Sequence, residues 1–367
     1  GEILCEIEKQ RISLQPLSDL FVPEETTVAN REEQVSLRYG GTNVVSDRIE
    51  FVYDPKTYGV LRASQKGRLE TDLPGDEPEH LTVRWNEQVK IAPIPDEPEH
   101  YSASFRGGVS AESDQYGTLS AGEADFWFQL RHDEAADGEP SFVPLSAQLR
   151  QNVEMNTARG DCRIRDVLEI LFDRQSDSSA PNPAGENPSA APLTTKEKNP
   201  FLPGGSMMGE GEDAVYAMSA GRLKLWVLLR QDGKVDVSHI VMQDHLLFVE
   251  TDPVEKKEIL HIDGNDVRIE NPGTDRVSVI LRGHPANFTG SGLNLSGYDI
   301  RVNRPENMFS VIGSGRLRFT PRSGKVPPEK ISPTVSEEPV EVWWPNGMAF
   351  DGKSLVFQGD FPPSGRR

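Results

Sequence analysis

The amino-acid sequence predicts an all-β protein, and three observations support this prediction. Apolar and polar residues alternate with a period of two in many short runs, among them VSLRY (35–39), ADFWF (124–128) and VEVWW (340–344). Turn-forming glycine, proline, aspartate and asparagine residues separate these runs at intervals of about ten residues, which is typical of all-β folds. The chain also repeats itself, and repetition of a strand unit indicates an elongated, stacked architecture.

Two pairs of segments carry the internal repeats. LSAGEADFWFQLR (119–131) and MSAGRLKLWVLLR (218–230) share six of thirteen residues, including a Ser-Ala-Gly sequence that we interpret as a turn. KGRLETD followed by EHLTVRWNEQVKI (66–91) matches SGRLRFT followed by EPVEVWWPNGMAF (314–350), with Trp85 aligned to Trp344. Because the apolar positions keep the same phase, we expect both members of each pair to form equivalent strands.

Composition narrows the classes of function. The chain has 367 residues, of which 36% are hydrophobic, with 32 glycines and 28 prolines, a composition that argues against a helical bundle. Its net charge of −19 repels phosphate backbones, so no nucleic-acid partner is expected. The chain opens at Gly1 directly into a strand-like sequence, and we therefore expect it to be a fragment that lacks its native termini.

The sequence divides into two strand-rich segments, 1–173 and 213–367. Residues 174–212 between them are rich in serine, proline, alanine and asparagine, which predicts a disordered linker or an inserted loop. A shorter polar loop is expected from 322 to 338. The one stretch with helical spacing, 161–173, also fits a strand, and we favour the strand.

No motif indicates catalysis. The chain has no Gly-x-Ser-x-Gly elbow, and its Gly-Ser-Gly sequences at 290–292 and 313–315 are interpreted as turns between strands. None of the seven histidines has the spacing of a metal site, and Asp263-Gly-Asn-Asp266 is interpreted as a hairpin turn rather than a calcium loop. Cys5 and Cys162 are too few for a disulfide framework, and a single bridge between them is left open. We therefore expect no enzymatic activity, no cofactor and no metal.

The passage VSVILRGHPANFTGSGLNLSGYDIRVNRPENMFSVIGSGRLRF (277–319) resembles the OstA-like repeat of the lipopolysaccharide-transport family. The resemblance rests on the glycine, proline, alanine, phenylalanine, isoleucine and asparagine residues of that repeat, which here are Gly283, Pro285, Ala286, Phe288, Gly297, Ile300, Asn307, Gly313 and Gly315. Residues 105–128 and 345–361 resemble the same unit. The chain departs from the small family members in its length, its acidity and its insertion at 174–212.

The resemblance implies an elongated antiparallel β-jellyroll, or β-taco, in which two opposed sheets enclose an apolar groove. It implies a lipid A-like or lipopolysaccharide-like amphiphile as ligand, and transport or scaffolding across the bacterial cell envelope or periplasm. It also implies edge-strand pairing with other β-jellyroll modules of this type or with a second copy of the chain.

Alternation assigns seventeen residues to the groove: Leu225, Val227, Val279, Leu281, Phe288, Leu293, Leu295, Ile300, Val302, Phe309, Val311, Leu317, Phe319, Val342, Trp344, Phe350 and Phe357. For any one of them, packing in a closed core is the simpler explanation, so the hypothesis concerns the set. Two other readings stay open at this point. One is a carbohydrate-binding or polysaccharide-lyase β-solenoid, and the other is a purely structural β-sandwich of a surface protein.

Overall fold

The prediction of an all-β chain is confirmed. The computed structural model describes residues 2–6, 11–15, 34–39, 42–52, 59–73, 79–97, 99–114, 117–132, 140–158, 160–174, 215–230, 235–272, 276–290, 293–319 and 339–359. Within these ranges the chain forms β-strands joined by short turns, and no helix occurs in them. The disorder predicted for 174–212 and the loop predicted for 322–338 lie outside the described residues, apart from Arg174, which ends a strand.

The chain forms two compact units. Unit 1 comprises residues 1–173 and 221–225, and unit 2 comprises residues 174–220 and 226–367. The strands up to residue 174 are β1 (Glu2–Glu6), β2 (Arg11–Gln15), β3 (Val35–Tyr39), β4 (Thr42–Val52), β5 (Val60–Leu73), β6 (Glu79–Trp85), β7 (Gln88–Pro93), β8 (His100–Arg106), β9 (Val109–Ser113), β10 (Gly117–Ala121), β11 (Glu123–His132), β12 (Pro140–Arg150), β13 (Val153–Thr157) and β14 (Gly160–Arg174). The segment 161–173 is therefore a strand, as favoured from the sequence.

The later strands are β15 (Val215–Leu229), β16 (Val235–Thr251), β17 (Glu258–Glu270), β18 (Ser278–Gly290), β19 (Leu293–Asn303), β20 (Met308–Phe319), β21 (Val340–Trp344), β22 (Gly347–Phe350) and β23 (Leu355–Gln358). Strand β15 contributes residues to both units. The sequence-based boundaries at 174 and 213 remain predictions.

Ten strands of unit 1 pair in a closed antiparallel ring, in the order β5–β6–β9–β10–β13–β14–β12–β11–β8–β7 and back to β5. By its hydrogen bonding this ring is a closed antiparallel barrel. The long strands β5 and β14 each pair with two strands that follow one another along the chain. Strands β4, β3, β2 and β1 extend the sheet beyond β5.

Unit 2 contains an antiparallel meander in which β16 pairs with β17, β17 with β18, β18 with β19 and β19 with β20. Strand β20 then pairs with β21 along one half of its length and with β22 along the other, and β22 pairs with β23. The pairings named for both units are all antiparallel, whereas the coils of a right-handed β-solenoid pair in parallel. The β-solenoid alternative is therefore wrong for these segments.

The long strands are interrupted near their midpoints, and the interruptions lie side by side. In unit 2 the register shifts at 244–245 in β16, at 264–265 in β17, at 283–285 in β18, at residue 298 in β19 and at 313–314 in β20. We call this line of irregularities the crease. Because a β-bulge bends the strand that carries it, aligned bulges bend the sheet along one line.

The second pair of repeats has a structural counterpart. Gly67 lies opposite Trp85 and Leu69 opposite Val83 in unit 1, while Gly315 lies opposite Trp344 and Leu317 opposite Val342 in unit 2. The preceding strands match as well, because Ser46 lies opposite Gly67 and Gly297 opposite Gly315. The strand group β4–β5–β6/β7 thus has the same register as β19–β20–β21/β22.

The glycines of these two groups lie against the tryptophan rings. A Cβ added to Gly67 would overlap the six-membered ring of Trp85 and approach the carbonyl oxygen of Val45 to 2.6 Å. At Gly315 it would overlap the ring of Trp344 and approach the carbonyl oxygen of Ser296 to 2.6 Å. Only glycine leaves room for the indole at these two positions.

Three sequences interpreted as turns lie within strands or at their interruptions. Gly122 of the first Ser-Ala-Gly is a bend between β10 and β11, and the second Ser-Ala-Gly, at 219–221, lies within β15. Asp263–Asp266 spans the crease in β17, and residues 313–315 lie in the middle of β20. At Gly122, Gly264 and Gly315 an added Cβ would come within 2.8 Å of another atom, so these glycines accommodate a close approach within the sheet. A glycine in this role has the same sequence pattern as one in a hairpin turn.

Candidate ligand-binding face

One face of the unit 2 meander is almost entirely apolar, and its side chains form four rows across the strands. We call this surface the apolar face, and define it by rows that the strand register connects. On one side of the crease the rows are Ile240–Ile269–Val279–Val302–Phe309–Phe350 and Met242–Val267–Leu281–Ile300–Val311–Met348–Phe357. On the other side they are Phe248–Ile262–Phe288–Leu295–Leu317–Val342 and Glu250–Leu260–Gly290–Leu293–Phe319–Val340.

Three central strands keep this face on one surface by switching parity at the crease. In β18 the buried residues are Val279 and Leu281 before the crease but Ala286 and Phe288 after it. Strands β17 and β19 switch in the same way, from Ile262 to Val267 and from Leu295 to Ile300. In a regular strand the offset of five residues between the two buried sets would put them on opposite surfaces of the sheet. The irregularity at the crease compensates for this odd offset and returns both sets to the same surface.

The centre of the apolar face is packed against other protein atoms. Leu281 and Leu317 are 0% exposed, and Leu295 and Ile300 are 1% exposed. Burial of aliphatic side chains of this size stabilises the fold by roughly 1.5–3 kcal/mol each. The partly exposed members include Val302 in the first row, Val342 at the end of the third row and Phe319 in the fourth row.

The rows of this face contain fourteen of the seventeen residues assigned to the groove, namely all those from Val279 onward except Trp344, which lies opposite Gly315. Phe357 is the most exposed of them, with 36% of its surface exposed. The centroid of its ring lies 5.5 Å from the ring centroid of Trp344. Leu225 and Val227 lie on β15, where Val227 is buried and Leu225 is half-buried. Whether any of these residues touches a ligand remains a prediction.

Glu250 interrupts the apolar character of the fourth row. It follows Leu246 and Phe248 at a spacing of two on β16, lies opposite Leu260 and is only 2% exposed. Its Oε2 atom has no hydrogen-bond partner in the described part of the chain. Burial raises the pKa of this carboxyl group to about 7.

Glu250 is not among the residues that the sequence assigns to a ligand-binding site. The sequence LLFVE (246–250) places a glutamate at a position where period-two alternation calls for an apolar side chain. A charged residue in phase with a buried face is the signal that could have identified it.

A second buried carboxylate lies in unit 1 but has partners. Asp125 on β11 is 5% exposed, and its oxygens lie 2.7 Å from Arg106 Nη2 and 2.8 Å from Arg150 Nη1. Burial alone would raise the pKa of Asp125, but hydrogen bonds from Ser104, Arg106 and Arg150 outweigh burial and lower it below its ordinary value. Because both guanidinium groups are engaged, this cluster serves as a structural ion-pair network.

Other chemistry-bearing groups are dispersed. Within the described residues, no three His, Cys, Asp or Glu side chains come together as metal ligands. Cys162 is a free thiol buried in unit 1, and burial raises its pKa to about 11. The described ranges contain no helix of the length and apolarity needed to span a membrane.

Comparison of the chain with models of protein families, with curated proteins and with solved structures finds no match. The apolar face and the buried carboxyl of Glu250 are therefore the features from which a function must be inferred.

Proposed function

We propose that this chain is a non-enzymatic, lipid-binding protein of the β-jellyroll type. In this proposal the crease folds the sheet so that the two halves of the apolar face oppose each other, and the acyl chains of a lipopolysaccharide-like amphiphile lie between them. The protein then carries or scaffolds such an amphiphile across the bacterial cell envelope. The resemblance of residues 277–319 to the OstA-like repeat supports the fold and the ligand class.

The observation that carries the proposal is the continuity of the apolar face across the crease. Five successive strands, β16 to β20, present apolar side chains on the same surface in both halves. A hydrocarbon chain buried against such a surface gains roughly 0.8 kcal/mol per methylene group, which is enough to hold a long acyl chain. The centre of the apolar face is closely packed. Binding therefore requires the two halves of the face to separate, or the acyl chain of the ligand to enter where the face is partly exposed.

The test is the binding of a fluorescent acyl-chain probe and of lipid A to the wild-type protein and to two matched variants. Phe319 is a partly exposed residue of the apolar face, and Ile312 lies on the same strand with its side chain 50% exposed on the outer surface. We expect saturable binding to the wild type, a loss of at least tenfold in affinity for Phe319→Asp, and unchanged affinity for Ile312→Asp.

Circular dichroism would establish that both variants remain folded. If the wild type binds neither probe saturably, the lipid-binding proposal fails. The apolar face then serves only as the closed core of a structural β-sandwich, the alternative that its deep burial favours.

The proposal includes pairing with another β-jellyroll module at the edge of unit 2. Within the described residues, the one strand that pairs with β21 is β20. Its counterpart in unit 1, β6, pairs with β5 on one side and with β9 on the other. Val340 and Trp343 on β21 are 39% and 68% exposed. An edge of this kind accepts an added strand, and we expect sedimentation at increasing concentration to reveal association through it.

A further inference from the structure

Glu250 is the one charged side chain in the rows of the apolar face. The side chains and backbone nearest it along its row are Leu260, Gly290 and Leu293, all of which are buried. Burying a carboxyl group in such surroundings without a partner destabilises a protein, and each unpartnered group of this kind requires an explanation. A ligand that supplies the missing partner is one such explanation.

We propose that Glu250 binds the ammonium group of an amine-bearing amphiphile whose hydrocarbon chain lies along the apolar face. This inference rests on the proposed function, because it assigns the chemical class of the ligand at the same surface. The carboxylate and the hydrocarbon-binding rows adjoin each other, so one molecule with an apolar tail and a cationic head satisfies both.

The chemistry of the carboxylate selects an ammonium group over the other headgroups of amphiphiles. An ionised carboxyl group accepts hydrogen bonds and attracts positive charge, whereas a phosphate or sulfate group in direct contact with it would be repelled, so any such group of the ligand lies away from Glu250. In an apolar environment the attraction between carboxylate and ammonium is stronger than at a surface. The net charge of −19 of the whole chain also favours the approach of cations.

Among the described residues that the strand register places in the row of Glu250, no other side chain is charged. Leu260 lies opposite it on β17, and His261 has the outward parity on that strand. Glu258, two residues before Leu260, has a side chain that is 62% exposed, and its Oε2 atom lies 3.3 Å from Nδ1 of His261. Tyr216 of β15 packs against Phe248, two residues before Glu250, with ring centroids 5.9 Å apart. Asp252, which follows β16, accepts hydrogen bonds from the backbone amides of Val254 and Glu255.

The binding of an ammonium ion requires the carboxyl to be ionised, so affinity must depend on pH. Because the pKa of Glu250 is raised to about 7, the group is mostly protonated at pH 5.5 and mostly ionised at pH 8. We expect an alkylammonium ion to bind about tenfold more weakly at pH 5.5 than at pH 8. A neutral alcohol of the same chain length should show no such change.

The experiment displaces a neutral pyrene-labelled hydrocarbon with dodecylamine or with dodecanol, the amine below its critical micelle concentration and the alcohol below its solubility limit. It uses the wild type, Glu250→Gln and the control Glu255→Gln, which removes the same charge from an exposed side chain. We expect the wild type and Glu255→Gln to bind dodecylamine at least tenfold more tightly than dodecanol at pH 8. We expect Glu250→Gln to bind the two equally.

Equal affinity of the wild type for dodecylamine and dodecanol, or a preference for dodecylamine that persists in Glu250→Gln, would overturn this inference and leave the proposed function intact. Absence of saturable binding of the pyrene probe would overturn the proposed function itself. The pH profile of the wild type needs no substitution and therefore tests the inference even if Glu250→Gln is poorly folded.

Discussion

At the scale of single residues, two buried carboxyl groups have pKa values that are shifted in opposite directions. Glu250 lies among apolar side chains and is held toward its neutral form, whereas Asp125 lies between two arginines and is held in its charged form. The difference comes from the neighbours, since both groups are nearly inaccessible to solvent. The two groups should therefore produce opposite effects of pH on stability.

Glu250→Gln is expected to stabilise the ligand-free protein at alkaline pH. The pKa of Glu250 is raised from 4.5 to about 7 on folding, so its favourable contribution is complete below pH 4.5 and is lost as pH rises through 7. A glutamine at this position mimics the neutral carboxyl at every pH. Urea denaturation should show that the advantage of Glu250→Gln over the wild type grows by up to roughly 3 kcal/mol between pH 4 and pH 8, and a constant difference would contradict the burial of the carboxyl.

Asp125→Asn is expected to destabilise unit 1 by about 2 kcal/mol at neutral pH, because two partly buried guanidinium groups lose their anionic partner. The pKa of Asp125 is lowered on folding, so its stabilising contribution is present above the ordinary value of 3.8 and is lost as pH falls through the folded-state pKa. The difference between Asp125→Asn and the wild type should therefore shrink below pH 3.8. The comparison uses urea midpoints from pH 7 down to the lowest pH at which the wild type remains folded.

At the scale of strands, the two equivalent tryptophans differ in one hydrogen bond. Trp344 Nε1 donates to the carbonyl oxygen of Gly313 over 3.1 Å, whereas Trp85 Nε1 has no acceptor within the described residues. Both rings are buried and pack against equivalent glycines. The same sequence motif thus leaves one indole with an unpaired donor in unit 1.

Trp344→Phe should consequently cost about 1 kcal/mol more than Trp85→Phe, the free energy of one ordinary hydrogen bond. The loss of apolar area is the same in both variants, so each serves as the control for the other. The measurement is the shift in the denaturation midpoint of each variant, with the fluorescence of the remaining tryptophans as the signal for unfolding. An equal shift in both variants would show that the bond to Gly313 contributes nothing.

The alternation of individual strands was evident in the sequence, but their interruptions were not. The match of Gly67 and Trp85 to Gly315 and Trp344 predicted equivalent strands, and the register of β5–β6 and β20–β21 bears this out. The sequence did not separate a bulge from a hairpin turn, because both need a residue without steric restriction between two alternating runs. The sequence LLFVE (246–250) marks Glu250 as being in phase with a buried face, but the lack of a hydrogen-bond partner for its Oε2 atom within the described residues depends on the neighbouring strands.

At the scale of the whole molecule, the two units each have a buried core and strands in the same register around a glycine–tryptophan contact. Compact units with separate cores can unfold separately. Cys162 provides a probe for unit 1, because its buried thiol reacts only when its surroundings open.

We expect Gly67→Ala to expose the thiol of Cys162 to a chromogenic disulfide reagent and Gly315→Ala to leave it protected. Each substitution forces a Cβ into an indole ring and a backbone carbonyl of its own unit. The Cys5→Ser background removes the other thiol, so that the signal reports Cys162 alone. Exposure of Cys162 to the same extent in both variants would show that the units unfold together.

The parity switch at the crease offers a way to recognise this architecture in chains that share no residues with it. Strand β17 changes from even to odd buried positions near its midpoint, and β18 and β19 change from odd to even, so one such change occurs in each of the three strands. The signature is a matter of spacing, so it can persist after every individual side chain has been replaced. A search for successive alternating runs that change frame at glycine, asparagine or proline would therefore detect distant relatives by their geometry.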